Sequence, residues 1–173
     1  MLYIRKINKD VWINRPRCDS DSVSDLCTTN HELSVWRLTD IKDEEQLDRV
    51  ALALAMGRSK PAELFLVPIN PENLKDHKGN SFEVEVSNQD GETRFEKMKG
   101  EHKNFMLPSV FEMGYVASNI HDLLQNDDNL IYYNEIQIKD IFLKACNNGE
   151  IDPFALDKHW KGIFNNSNNQ KGA

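Results

Sequence analysis

The segment 33–67 constrains the fold most strongly, because it sets two strand patterns on either side of a well-marked helix. Residues 33–38 alternate between the two faces that a strand presents. Asp43 is a favourable N-cap, and apolar residues recur at helical spacing over 44–56. Residues 63–67 predict a further strand, whose apolar run over 64–67 is typical of burial on both faces. In this order the three elements predict a right-handed βαβ crossover.

Three further strands are indicated in the N-terminal and central parts of the chain. Residues 2–7 are rich in β-branched and aromatic side chains. Residues 82–86 alternate strictly, with three apolar side chains on one face and two glutamates on the other, solvated face. Asp90 and Gly91 form a tight-turn signal, so we expect 93–98 to return as the second strand of an antiparallel hairpin.

Cap residues mark the starts of three helices in the C-terminal half, at Ser109/Glu112, Asn134/Gln137 and Asp152/Pro153. The first helix extends to about residue 124, and the second ends near a glycine at 149. The third is a short amphipathic segment that ends by 164. Between the first two helices, residues 130–133 predict a short strand.

These elements predict an α+β, or mixed α/β, fold with a mixed sheet of about five strands and three to four helices. A length of 173 residues suits one domain with one sizeable core. We expect that domain to span 1–164, with a long polar loop at 14–32 and a disordered polar tail at 165–173. Within the loop, the spacing of Val23 and Leu26 fits one turn of helix. The expected core includes Val35, Leu54, Leu64, Leu66, Phe111, Ile120, Ile141 and Phe142, together with Trp36 and Trp160.

The charges of this acidic chain are unevenly distributed along the sequence. The net charge is −7 over the whole chain, +4 over 1–18, −7 over 19–48 and −4 over the remainder. Nucleic-acid binding needs clustered Lys and Arg, so this distribution argues against it. An acidic segment attracts a basic protein partner, although a solvated surface without a partner is the alternative. The predicted binding residues are Asp19, Asp21, Asp25, Glu32 and an exposed Trp12, since Trp is enriched at interface hot spots.

Several other classes of protein are disfavoured by what the sequence contains. Its apolar runs are far shorter than the roughly 20 residues of a membrane span, and basic residues interrupt any N-terminal leader. We therefore expect a cytoplasmic protein without membrane association, in which Cys18, Cys27 and Cys146 are reduced thiols. The spacing of Cys18, Cys27 and His31 does not match a zinc site, and no Gly-rich phosphate loop is present, so neither a metal nor a cofactor is expected.

The leading hypothesis is a non-enzymatic protein-binding module, of the immunity, antitoxin or inhibitor-like kind, which engages a basic partner through the acidic segment. No catalytic motif of high specificity is present, so no catalytic residue is assigned. One alternative is a small enzyme, a hydrolase or a nucleotide-modifying transferase, whose dispersed site uses Arg5, His31 or His102. Another is a subunit of a larger complex, which a contiguous apolar surface patch would indicate.

Overall fold

The protein is organised around one antiparallel sheet. The computed structural model describes residues 1–13, 15–26 and 30–171, with side chains to residue 167. Within those residues the chain forms six strands: β1 (Leu2–Ile7), β2 (Glu32–Leu38), β3 (Leu64–Ile69), β4 (Glu85–Asn88), β5 (His102–Met106) and β6 (Ile131–Tyr133). Their order is β4-β5-β2-β1-β3-β6, and every neighbouring pair is antiparallel.

Helices cover both faces of this sheet. The described part of the chain forms α1 (Lys9–Trp12), α2 (Ser20–Leu26), α3 (Glu44–Ala55), α4 (Val110–Leu123), α5 (Glu135–Asn147) and α6 (Lys158–Lys171). Side chains of α3, α5 and α6 are buried in the core on one face, and those of α1, α2 and α4 in the core on the other. The sheet is therefore the middle of three layers. None of the described helices combines the length and apolar character that a membrane crossing needs.

The expected α+β class is confirmed, and the predicted caps at Asp43, Ser109 and Asn134 are present. The Asp43 carboxylate accepts a hydrogen bond from the Gln46 N–H at 3.0 Å and begins α3. Both reciprocal hydrogen bonds of a capping box form at Ser109 and at Asn134, where α4 and α5 begin. Among the described residues, the sheet has six strands rather than about five, and its pairing is antiparallel rather than mixed. The same residues form six α-helices, where three to four were expected.

The predicted βαβ crossover contains an inserted strand. β1 lies between β2 and β3 and pairs antiparallel with both, so β2 and β3 run in the same direction without being neighbours. α3 connects them across the face that buries Ile4, Trp36 and Leu66. The alternation within a strand determines which side chains face the core, but it does not determine which strand becomes the neighbour.

The hairpin predicted for 82–86 and 93–98 does not form, because its first strand is shifted to Glu85–Asn88 and residues 93–98 form no strand. β4 pairs with β5 instead, and Glu96–Glu101 forms a 3-10 helix. Phe95 and Met98 are buried in the same core as α3, which an exposed hairpin strand would not allow. Because burial of large apolar side chains stabilises by about 1.5–3 kcal/mol each, the segment packs under the helix layer rather than extending the sheet. The two glutamates of 82–86 are exposed, as predicted.

The segment 14–32, predicted as a polar loop with one turn of helix around Val23 and Leu26, contains α2, which extends over Ser20–Leu26. Val23 and Leu26 are spaced by three residues, and they give the short helix one apolar side. Leu26 is fully buried and Val23 packs against the same core as α4. Asn14 and residues 27–29, with Cys27 among them, lie outside the described residues.

Most of the expected core side chains are buried, and Phe111 is the exception. Fully buried residues of the expected set are Val35, Leu64, Leu66, Ile120, Phe142 and Trp160, while Trp36 is 4 % exposed and Leu54 and Ile141 are partly buried against the same core. Phe111 is 70 % exposed. It lies in the first turn of α4, whose buried stripe begins two residues later at Met113 and continues at Val116.

α6 continues beyond residue 164 into the polar segment 165–173 and extends to Lys171, while 172–173 lie outside the described residues. Trp160 is fully buried, and Ile163 and Phe164 pack against the same core. These contacts anchor the first two turns, so the polar residues that follow can propagate a helix that is already nucleated.

Candidate functional site

The acidic segment 19–48 does not form one surface. Its first part lies on α2, against one face of the sheet, and its last part begins α3 on the opposite face. Some of its carboxylates have local structural roles: Asp43 caps α3, and Asp48 accepts a hydrogen bond from the Tyr133 hydroxyl at 2.9 Å. Charge that is contiguous in the sequence is therefore divided by the sheet.

Asp19 and Asp21 lie at the start of α2. Asp19 Oδ1 accepts hydrogen bonds from the N–H groups of Asp21 at 3.0 Å and Ser22 at 3.1 Å. The bond from the Ser22 N–H is the main reason why the pKa of the Asp19 carboxyl lies below its ordinary value. Arg15 approaches Asp19 to 3.2 Å and Asp21 to 3.7 Å. Arg15, from the basic N-terminal segment, thus partly compensates the negative charge of these two predicted binding residues.

Trp12 is buried, so the prediction that it is exposed is wrong. Its side chain is 2 % exposed, and its indole N–H donates to Asp25 Oδ2 at 2.7 Å. The Arg5 guanidinium donates to the Asp25 carbonyl at 3.3 Å and to the Ser34 carbonyl at 3.0 Å. Asp25 therefore connects α1, α2 and β1. The sequence pattern missed this role because α2 covers a Trp that a polar loop would leave exposed.

Glu32, the remaining predicted binding residue, lines an open cleft of about 510 Å³ on the α3 face of the sheet. Strands β2 and β5 form its floor, and the end of α3 and residues 89–92 form its sides. We call it the acidic cleft. Its lining residues are Asn30, Glu32, Ser34, Trp36, Ala53, Leu54, Gly57, Gln89, Asp90, Glu92, His102 and Asn104.

The floor of the acidic cleft follows from strand geometry. In β2, Glu32, Ser34 and Trp36 alternate onto the same face. The antiparallel register sets Asn104 opposite Ser34 and His102 opposite Trp36. Residues that are far apart in the sequence thereby become neighbours on one patch of the sheet.

Negative charge dominates the acidic cleft. Glu32, Asp90 and Glu92 line it, and its described lining includes no Lys or Arg. Asp90 and Glu92 are exposed, and neither lies within 4 Å of a basic group in the described part of the chain. Carboxylates of one sign around a concave surface concentrate negative potential, which attracts cations.

A serine and a histidine are hydrogen-bonded inside the acidic cleft. Ser34 Oγ lies 2.6 Å from His102 Nε2, and His102 Nδ1 lies 2.9 Å from the Gln89 carbonyl oxygen. Because a carbonyl can only accept, Nδ1 carries the hydrogen of the neutral imidazole and Nε2 accepts from the Ser34 hydroxyl. This is the arrangement of a hydroxyl, a general base and a group that orients the base.

Two further contacts hold the cleft in shape. Asn104 is 4 % exposed and donates to Glu32 Oε2 at 2.8 Å and to the side-chain oxygen of Gln89. Gly91 is buried against His102, where an added Cβ would lie 2.7 Å from the histidine Cβ. Only glycine allows this approach, so one side of the cleft packs directly on the imidazole.

The residues proposed for a dispersed enzyme site are not brought together. His102 lines the acidic cleft, Arg5 lines a different cavity, and His31 is exposed on the surface. Ser34 nevertheless contacts two of these three residues. Its carbonyl accepts a hydrogen bond from Arg5, and its hydroxyl is hydrogen-bonded to His102.

Several cleft residues were not singled out from the sequence. Ser34, Gln89 and Asn104 carry no motif, and Asp90 was predicted only as part of a tight turn. Their proximity depends on the pairing of β5 with β2 and β4. The available sequence signal was the polar residues at alternate positions, Glu32 and Ser34 in one strand and His102 and Asn104 in the other. They would have indicated a polar sheet face but not its partner strand.

Two of the three cysteines lie among the described residues, and the search for metal ligands covers those residues. Cys18 and Cys146 are free thiols, whereas Cys27 lies outside the described residues. Burial raises the pKa of the Cys146 thiol to about 11, with a smaller contribution from Asp152, so this thiol is protonated at neutral pH. No cluster of three or more potential metal ligands occurs among the described residues.

Comparison with known proteins assigns no family. No protein-family model matches the sequence, no curated protein matches it, and no solved structure matches the fold. The function must therefore be inferred from the chemistry of the acidic cleft itself.

Proposed function

We propose that the chain is a non-enzymatic protein-binding module that takes a basic segment of its partner into the acidic cleft. The observation that carries the proposal is the charge of this cavity: three carboxylates, Glu32, Asp90 and Glu92, and no Lys or Arg in its described lining. A Lys or Arg side chain from a partner would supply the complementary charge.

The interior of the acidic cleft also supports this proposal. A guanidinium group presents five N–H donors and needs several acceptors. Beside the carboxylates, the cleft offers the side-chain oxygens of Gln89 and Ser34. The hydrogen bond from Asn104 holds Glu32 in position before a ligand arrives, which lowers the entropic cost of binding.

An immunity, antitoxin or inhibitor-like protein would use such a cleft to cover a basic surface of its target. Of the binding residues predicted from the sequence, Glu32 remains a binding residue. Asp90 and Glu92 take the place of the three predicted aspartates. Asp19 and Asp21 lie beside Arg15, and Asp25 accepts a hydrogen bond from the Trp12 indole.

We expect an arginine-rich peptide to bind the wild-type chain and to bind the double variant Asp90→Lys/Glu92→Lys about tenfold more weakly or worse. Both side chains are exposed, so the fold should tolerate the changes. Isothermal titration at low and at physiological salt measures the effect, since screening weakens an electrostatic complex.

The matched control is Asp127→Lys/Asp128→Lys, which changes the net charge by the same amount at exposed residues outside the cleft lining. We expect this control to stay within about twofold of wild type. Equal weakening in the two double variants, or no peptide binding by the wild type, would reject the acidic cleft as the binding site.

A second candidate function, ester or amide hydrolysis, is favoured by the Ser34–His102 hydrogen bond and its Gln89 orienter. An acyl-transfer site also needs N–H donors for the developing oxyanion. The Asn104 amide lies opposite Ser34, but it donates to Glu32 and Gln89. For this reason hydrolysis ranks below binding.

A fluorophosphonate probe tests this second candidate. In an active site, Ser34 Oγ bonds to phosphorus, fluoride leaves, and the hydroxyl proton passes to His102 Nε2. We then expect the intact mass to rise by one phosphonyl group in the wild type and in the control Ser87→Ala, but not in Ser34→Ala. His102→Gln should slow labelling by about a hundredfold or more. Failure of the wild-type chain to label would exclude a hydrolytic Ser34.

A further inference from the structure

A second cavity, of about 530 Å³, collects positive charge at the end of β1. Arg5 and Lys6 come from β1, Lys9 comes from α1, and Arg58 follows α3. We call it the cationic pocket. None of its four basic groups belongs to the lining of the acidic cleft.

The acidic residues of the cationic pocket do not neutralise these cations directly. Asp25 accepts a hydrogen bond from the Trp12 indole, and Glu63 accepts one from the Tyr132 hydroxyl at 3.3 Å. Asp10, the third carboxylate of the lining, is exposed. In the described part of the chain, no carboxylate oxygen lies within 4 Å of Arg5, Lys6, Lys9 or Arg58.

Two observations indicate that positive charge in the cationic pocket is under-compensated. Arg5 Nε is buried and has no hydrogen-bond partner, which costs free energy for a charged group. Burial, and then the neighbouring Arg58 and Arg5, lower the pKa of Lys6, while Asp25 offsets this only in part. Each guanidinium group lowers the pKa of Lys6 more than Asp25 raises it, so the surrounding charges sum to a positive potential.

We propose that the cationic pocket binds an oxyanion, specifically the phosphate group of a small phosphate monoester. Arg and Lys together suit phosphate, since guanidinium provides paired N–H donors and ammonium a compact charge. The volume exceeds that of phosphate alone and lies in the range of small-molecule sites. Lys9 is held 5.3 Å from the centroid of the Phe65 ring, which keeps it near the pocket. This site is separate from the acidic cleft and does not depend on its proposed function.

Titration calorimetry with inorganic phosphate and with phenyl phosphate tests the site, in buffers matched for ionic strength with sodium chloride. We expect the wild-type chain to bind inorganic phosphate with a Kd on the order of 1 mM or below, and phenyl phosphate at least as tightly. Lys6→Gln and Arg58→Gln should each weaken both ligands by about tenfold. Both ligands should also raise the midpoint of thermal unfolding of the wild type.

The matched control is Lys78→Gln, which removes one exposed positive charge outside the cationic pocket and should leave both Kd values within about twofold. Circular dichroism confirms that each variant is folded. The proposal is overturned if the wild type binds neither ligand, if Lys78→Gln weakens binding as much as Lys6→Gln and Arg58→Gln, or if phosphate binds but phenyl phosphate does not.

Discussion

Replacement of Trp160 by Ala is expected to lower the free energy of unfolding by about 3–5 kcal/mol. Trp160 is fully buried, packs on Phe142 with ring centroids 4.9 Å apart, and donates its indole N–H to the Arg58 carbonyl at 3.1 Å. Truncation leaves a cavity between α5 and α6 and removes the bond to the loop after α3. Against a total stability of about 5–15 kcal/mol for a domain, this is a large fraction.

Urea unfolding followed by circular dichroism measures this effect. The matched control is Phe111→Ala, which truncates an aromatic side chain that is 70 % exposed, and it should change stability by no more than about 0.5 kcal/mol. Comparable losses in the two variants would contradict the packing of Trp160 between α5 and α6.

Removal of the Asp25 carboxylate should be the second large effect, with Asp25→Ala losing about 2–4 kcal/mol of unfolding free energy. The change leaves the buried Trp12 indole N–H without its acceptor. It also removes the acidic neighbour that favours the charged form of Arg5, whose pKa is lowered by burial. Asp25→Asn keeps an acceptor oxygen for Trp12, so its loss should be smaller.

The control for Asp25 is Asp21→Ala, on the same short helix. Asp21 has a 63 % exposed side chain and only a 3.7 Å ion pair with Arg15, so its loss should cost no more than about 0.5 kcal/mol. Equal stability of all three Asp variants and wild type in urea unfolding would show that Asp25 is not structural, and would return it to the candidate binding residues.

Local features of the fold could be predicted because they depend on neighbours in the sequence. Asp43, Ser109 and Asn134 each cap the helix that follows them, and a cap needs only the next three residues. The partner of β4 depends instead on where Phe95 can be buried, and that site is created by α3. The position of β1 at the centre of the sheet likewise depends on packing between distant segments.

The candidate site was predictable only in part for the same reason. Glu32 could be selected from the acidic segment, and His102 was a candidate only as a member of a dispersed enzyme site. Their common location requires the register of β2 with β5, across 68 residues between Ser34 and His102. Trp12 is buried because α2 extends over Ser20–Leu26 and covers it, whereas the polar, hydroxyl-rich sequence favours a loop with one helical turn.

The two outermost strands are short, and this affects how the protein behaves at high concentration. β4 has four residues and β6 has three, so each edge exposes few unpaired backbone N–H and C=O groups. The acidic side chains of Glu83 and Glu85 flank one of these edges. Short, charged edges are poor templates for strand addition by another molecule, so the long central strands are protected from intermolecular pairing and aggregation.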